Sequence, residues 1–117
     1  MVPSPNEIKA SCFLPESANF HGWLIHNPEK DDFLAKYLEK GDSVSKLWCA
    51  FPDGALRFNR HVRAFKVVQK LDIQNQTIIV AAFDLGSQII IIAPDEYQER
   101  MSLPSNNPFR SPKIKTL

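Results

Sequence analysis

Two apolar runs in the second half of the chain, residues 78–83 and 89–93, most constrain its fold. Both are rich in isoleucine, valine and phenylalanine, which favour strands, and only a short polar segment containing Gly86 separates them. This pattern predicts a hairpin of strands 77–83 and 88–93, with Gly86 taking the left-handed conformation. Because these strands are the most hydrophobic part of the chain, we expect them at the buried centre of a sheet.

The length of 117 residues suits a single domain with its own core. We predict a globular domain over residues 1–102 and an extended or disordered tail over 103–117, which holds three prolines and two lysines. The formal net charge is +1, so no global electrostatic field calls for a nucleic acid or a membrane.

The cellular compartment is predicted from two features that the sequence lacks, a signal peptide and a membrane-spanning segment. The N-terminal residues do not form a signal peptide, and neither apolar run approaches the roughly 20 residues that cross a bilayer. The two cysteines, Cys12 and Cys49, are expected to be reduced, as is usual for a single pair in a cytosolic protein with a proper core. We therefore predict a soluble, cytoplasmic protein without membrane contact.

A helix is predicted over residues 27–40. Asn27 is a suitable N-cap, Pro28 fits the first helical position and Gly41 can end the helix. The apolar residues recur at the spacing of one helical stripe, namely Phe33, Leu34, Tyr37 and Leu38. Flanking segments alternate or are continuously apolar, which predicts strands over 7–14, 18–26 and 44–51, the last of them central.

Residues 55–71 are predicted to form one long, bent strand, because the apolar alternation changes phase near Arg63 and Ala64. The resulting fold class is α+β and mainly β. It is a small SH3-like or Sm-like barrel, or a strongly bent antiparallel sheet of about five to seven strands, with the helix 27–40 packed on it and an extended C-terminal tail. Bent strands favour the barrel.

Basic residues without any acid between Gly54 and Asp72 are the most suggestive local feature. The predicted binding residues in this segment are Arg57, Arg60, His61, Arg63 and Lys66. Such a row with interleaved phenylalanines could hold a single-stranded nucleic acid, in which cations bind phosphates and rings stack on bases. It could also be a solvated outer face of the sheet, protect an edge strand, or meet an acidic protein partner.

The tail offers a second candidate. Phe109 is flanked by Arg110 and Lys113, and an extended segment with an aromatic anchor and basic neighbours can dock in the groove of a partner.

No pattern for catalysis or for a metal is present. The histidines and cysteines lack the compact spacing of a metal site, and no nucleophile motif or phosphate-binding loop occurs, so we predict no catalytic residue, no metal and no cofactor. The expected function is a non-enzymatic binding module, a protein-interaction or assembly subunit whose partner is another protein or a second copy of the chain. The alternatives are a barrel that binds single-stranded RNA and a small enzyme without a recognisable motif.

Overall fold

The computed structural model describes residues 2–94 and 113–116. The elements in chain order are α1 (Pro5–Ser11), β1 (Asn19–Asn27), β2 (Asp32–Lys40), β3 (Ser43–Cys49), a 3₁₀ turn (Pro52–Gly54), α2 (His61–Leu71), β4 (Ile78–Asp84), β5 (Gln88–Ile92) and β6 (Lys113–Thr116). The strands form one antiparallel sheet in the order β3-β2-β1-β4-β5-β6. The fold is therefore α+β and mainly β, as predicted, but its helices are not the one that the sequence predicted. Among the described residues no pairing joins β3 to β6, so the sheet is not closed.

The predicted hairpin near the end of the chain is confirmed. β4 pairs with β5 from Ala81↔Ile92 to Asp84↔Ile89, and Gly86 in the connecting turn has a φ of 100°. β4 also pairs with β1, along almost the whole length of both strands. The predicted strand 18–26 thus corresponds to β1, and the pair β1–β4 lies at the middle of the sheet.

Burial on both faces explains why these strands are so apolar. Alternate residues of β4 and β5 point to opposite sides of the sheet, where two separate apolar clusters form. On the first side Ile25, Phe83 and Ile92 pack against the helices, which contribute Ile8 and Val68. The second side is built around residues of four strands and of the segment after the 3₁₀ turn, namely Leu24, Phe33, Val80, Ile89, Ile91 and Ala55.

The helix predicted over 27–40 is wrong, because these residues form a turn followed by β2. The Asn27 side chain does accept backbone hydrogen bonds, from the N–H groups of Glu29 and Lys30, but it closes a β-hairpin turn rather than starting a helix. A bulge between Leu34 and Lys36 then shifts the strand by one residue. Apolar residues spaced as in a helical stripe therefore lie on a bulged strand, with Phe33 and Leu34 buried on opposite faces.

The long bent strand predicted over 55–71 is also wrong in its second half. Residues from His61 onward form α2, whose buried residues follow the helical spacing i, i+3, i+4, i+7 and are Ala64, Val67, Val68 and Leu71. The phase change near Arg63 and Ala64 marks the change from extended chain to helix. Asp72 ends the helix in the left-handed conformation, with a φ of 56°.

The strand predicted over 7–14 is helix α1 instead. Ser4 caps it by accepting the N–H of Glu7, and Pro5 occupies its first turn. The helix buries Ile8, and Cys12 just beyond its end is also buried; these residues are four apart and fit either pattern. Within the described residues, no helix is long and apolar enough to cross a membrane.

The strand predicted over 44–51 is confirmed as β3, but not as a central strand. β3 lies at one end of the sheet and its first five residues are exposed. β1 and β2 pair only at His26↔Phe33 and Asn27↔Asp32, and beyond this point β2 diverges from β1. β2 and β3 therefore form an exposed two-stranded extension, which we call the β2–β3 hairpin.

The segment after the 3₁₀ turn fills the gap that this divergence leaves. Trp23 and Phe58 exchange two backbone hydrogen bonds of 2.9 and 3.0 Å, and the N–H of Leu56 donates to the carbonyl of Leu34 at 2.9 Å. The first half of the predicted strand 55–71 is thus extended and joined to both β1 and β2. Gly22 permits this approach, because a Cβ there would lie 3.1 Å from the Cβ of Arg57.

The contact at Gly22 gives a stability test. Gly22 has a φ of 150° and no room for a side chain, whereas Gly41 has a φ of 62° and nothing within 4 Å of its added Cβ. We expect Gly41→Ala to cost about 1 kcal/mol of unfolding free energy from backbone strain. Gly22→Ala should cost at least about 1 kcal/mol more, because residues 55–60 between the 3₁₀ turn and α2, which we call the inserted segment, must shift. Urea unfolding of both variants measures this difference, and equal costs would contradict the close packing of Gly22 against Arg57.

Candidate functional site

Four predicted binding residues lie on the outside of the molecule, and we call Arg57, Arg60, Arg63 and Lys66 together the basic surface. Arg57 belongs to the inserted segment, Arg60 is the N-cap residue of α2, and Arg63 and Lys66 lie on the helix side that faces away from the sheet. All four side chains are exposed. They are carried by a loop and a helix, and not by a strand as the sequence predicted.

An exposed aromatic side chain accompanies the basic surface. Phe65 is 45% exposed and Val62, three residues before it on α2, is exposed to the same degree. Phe58, by contrast, packs against the apolar cluster on the helix side of the sheet. The available stacking surface is therefore that of Phe65, between Arg63 and Lys66 along the chain.

His61, predicted as part of the same site, turns inward. Its ring lies edge-on to the Trp23 ring, with centroids 5.1 Å apart, and burial lowers its pKa. His21 is also half-buried, and its Nδ1 accepts a 3.3 Å hydrogen bond from Arg57. Burial first, and then the charge of Arg57, lower the pKa of His21. Both imidazoles are therefore packing groups that favour the neutral form.

The predicted tail site is only partly described. Phe109 and Arg110 lie outside the described residues, whereas Lys113 begins β6 and is aligned with Ile91 of β5. β4 and β5 separate β6 from β1, which carries the inserted segment with Arg57. The sheet topology therefore does not place Lys113 with the basic surface.

The β2–β3 hairpin is a second exposed surface, which the predicted helix 27–40 concealed. Large apolar side chains are unusually exposed along it and just after it, at 56% for Leu38, 45% for Val44, 60% for Leu47 and 52% for Phe51. The outer edge of β3 has no partner strand in the described sheet. An unpaired strand edge with exposed apolar side chains can bind another strand.

A polar cavity of about 190 Å³ lies where the β2–β3 hairpin approaches the loop after α2. Residues of the turn between β1 and β2, of both strands of the hairpin and of the loop between α2 and β4 line the cavity. They are Asn27, Lys30, Asp32, Lys46, Trp48 and Gln76. Lys46 and Trp48 are two apart on β3 and share one face. Sequence reasoning missed this group, because no local motif joins residues 27 to 76 and the wrong helix separated Asp32 from Trp48.

The remaining histidine and the two cysteines have structural roles. His26 is 2% exposed, and its Nε2 lies 3.0 Å from Oδ1 of Asp31 in the turn before β2. The Cys49 thiol donates to the carbonyl of Phe51, and burial raises its pKa, so the thiolate is disfavoured. Neither Cys12 nor Cys49 forms a disulfide. In residues 2–94 and 113–116, no group of three His, Cys, Asp or Glu side chains is placed to hold a metal ion.

Comparisons of the chain with models of protein families, with curated proteins and with solved structures find no match in any of the three. Any function assigned to the candidate sites therefore rests on the geometry of the sites themselves.

The two partly buried histidines, His21 and His61, generate a pH test. Because the pKa values of His21 and His61 are lowered in the folded state, the unfolded chain binds more protons below its ordinary histidine pKa of about 6.5. The free energy of unfolding should fall as the pH is lowered through and below that value. We expect the double variant His21→Gln, His61→Gln to show a shallower fall than the wild type in urea titrations between about pH 5 and 8. Parallel curves for the two proteins would contradict the burial of these rings.

Proposed function

We propose that the chain is a non-enzymatic protein-interaction module that self-associates by strand addition at β3. The observation that carries the proposal is the outer edge of β3, which pairs with no strand among residues 2–94 and 113–116, together with the 60% exposure of Leu47 next to the middle of this strand. The backbone N–H and C=O groups of such an edge are available to pair with another strand. The proposal requires an open, bent sheet, because in a closed barrel the edge of β3 would already be paired with another strand.

The sequence of β3 is compatible with pairing to a second copy of itself. In a two-fold antiparallel pair centred on Leu47, this residue meets its own copy and Lys46 meets Trp48. A pair centred on Lys46 would place two lysines opposite each other, which is destabilising. The favourable register buries the most exposed apolar side chain of the hairpin and leaves no like charges directly opposed.

Self-association can be tested by sedimentation equilibrium over about a hundredfold range of concentration. We expect a concentration-dependent dimer for the wild type, and Leu47→Lys should raise its dissociation constant about tenfold or more, as for a residue at an interface centre. Val62→Lys is the matched control, because Val62 is also exposed but lies on α2, whose main strand contacts are with β1 and β4. A wild type that stays monomeric, or a Leu47→Lys variant that dimerises normally, would disprove strand addition to a second copy.

Single-stranded nucleic acid is the second candidate, favoured by the exposure of Phe65 beside the charges of the basic surface. Cations of this surface would bind phosphates while the ring stacks on a base. Fluorescence anisotropy with single-stranded RNA and DNA across a salt series tests it.

For this candidate we expect the affinity to fall log-linearly with salt, and more steeply for the wild type than for Arg60→Ala, Arg63→Ala. The double variant Lys36→Ala, Lys40→Ala on the β2–β3 hairpin removes the same charge and should retain the wild-type slope. Absence of binding at low salt would exclude a nucleic acid at the basic surface.

A further inference from the structure

The two faces of the β2–β3 hairpin have different surroundings. Tyr37 packs against the apolar cluster on the helix side of the sheet, and Glu39 forms its ion pair with Lys70 of α2. Both residues therefore point to the helix side. Because side chains alternate along a strand, the residues between and beside them on β2 point to the opposite side of the sheet.

The opposite side of the hairpin is formed by three residue pairs. Paired residues of neighbouring strands share a face, so the register of β2 with β3 identifies the members that β3 contributes. We call this surface the lysine–leucine face, and it consists of Lys36, Leu38, Lys40, Ser43, Ser45 and Leu47. All of these side chains are exposed.

Two leucines form the apolar centre of the lysine–leucine face. Leu38 and Leu47 are both more than half exposed. Leu38 is paired with Ser45, two residues before Leu47, so the leucines are diagonal neighbours, whose positions lie roughly 7–8 Å apart in an antiparallel sheet. Neighbouring exposed apolar side chains bordered by polar residues are typical of a surface that binds another protein.

The charges of the lysine–leucine face have a single sign. Lys36 and Lys40 lie on either side of Leu38 along β2, and none of the other members of the face is acidic. Asp42 lies beyond the paired residues, in the turn at the tip of the hairpin. Because complementary charge selects a partner, the face suits a surface with carboxylates around an apolar stripe.

The same features exclude two other occupants. A second copy of the lysine–leucine face would oppose lysine to lysine, which is unfavourable. A single-stranded nucleic acid would find cations but no aromatic ring on which its bases could stack. The occupant is therefore an acidic protein segment.

The width of the hairpin suits a helix. Neighbouring strands lie about 4.8 Å apart, so a two-stranded face is about as wide as a helix, whose diameter is about 10 Å. A helix with apolar residues at i, i+3, i+4 and i+7 presents one stripe that can cover both leucines. Helices already cover the other side of the sheet, so this packing matches the layer order of the fold.

We propose that the lysine–leucine face binds an acidic amphipathic helix of a partner protein. The apolar stripe of the helix packs on Leu38 and Leu47, and its carboxylates pair with Lys36 and Lys40. This site does not rest on strand addition at β3. Strand addition uses backbone groups at the edge, leaves both faces of the hairpin open and would place a second Leu47 beside the first on the same face.

Titration of the isotopically labelled protein with synthetic peptides, followed by two-dimensional NMR, measures the affinity and locates the site. The probe is a peptide of about 18 residues, long enough for a helix, with leucines along one helical stripe and glutamates elsewhere. One control peptide has lysines in place of the glutamates, and a second has the probe's composition with its leucines spread around the helix. We expect the probe to bind with a Kd below about 1 mM, to shift signals of residues 36–47, and to bind about tenfold or more tightly than either control.

Substitutions on the two faces of the hairpin test the apolar centre. Leu38→Lys should weaken binding of the probe about tenfold or more, because it removes an anchor from the middle of the contact. Val44→Lys is the matched control and should bind as the wild type does, since Val44 is also exposed but is paired with Glu39 and shares its face.

Charge reversal tests the lysines. The double variant Lys36→Glu, Lys40→Glu should reverse the preference, so that the lysine-containing control peptide binds more tightly than the probe. The double variant Arg63→Glu, Lys66→Glu makes the same charge change on α2 and should keep the wild-type preference.

Several outcomes would overturn the proposal. They are absence of shifts at about 1 mM probe, equal affinity for the probe and the lysine-containing control, unchanged affinity of Leu38→Lys, and shifts confined to α2, which would assign the probe to the basic surface. Sedimentation equilibrium separates this proposal from strand addition, because Leu38 is not on the β3 edge and Leu38→Lys should self-associate as the wild type does. A wild type that stays monomeric but binds the probe at residues 36–47 would disprove strand addition alone.

Discussion

The turn between β1 and β2 is the constraint on which most of the structure depends. Asn27 accepts two backbone N–H groups, Asp31 has a φ of 53°, and His26 contacts the Asp31 carboxylate, so the turn is held from both sides. The strands it joins pair over only two residue pairs and then separate. Their separation exposes the side of β1 at Trp23, and this is where the segment containing Phe58 is inserted.

The same separation divides the sheet into two parts with different physical character. β1, β4 and β5 are buried on both faces, so their stability comes from apolar area removed from water, roughly 1.5–3 kcal/mol for each large side chain. The β2–β3 hairpin has lost the support of β1 along most of its length and remains open to solvent. Its contact with the helix layer includes the 2.6 Å ion pair between Glu39 and Lys70, which is exposed on both sides. The candidate β3 edge and the polar cavity both belong to this less covered part.

Two patterns in the sequence were compatible with more than one element. Phe33, Leu34, Tyr37 and Leu38 fit one helical stripe, and they also fit a strand with a bulge after Leu34. In the segment after Arg60, the buried spacing of Ala64, Val67, Val68 and Leu71 is helical, but it also reads as an alternation that changes phase. Helix and strand were consequently exchanged at these two places, as they also were over residues 7–14, where Ile8 and Cys12 fit either pattern. The polar cavity was beyond prediction for the same reason, since Asp32 and Trp48 meet only when residues 32–40 are a strand.

The sequence by itself determined the hairpin of β4 and β5, the strand β1, the mainly β composition and the acid-free basic segment. Those features depend on residues that are close in the sequence. Two long apolar runs joined by a glycine turn, for example, are compatible with few structures other than a β-hairpin. Only the tertiary structure decided that β3 is an edge, that His61 faces Trp23 and that Arg63 and Lys66 lie on a helix. The spacing of apolar residues indicates which residues share one face of a helix or strand. Whether that face is buried depends on segments that are distant in the chain.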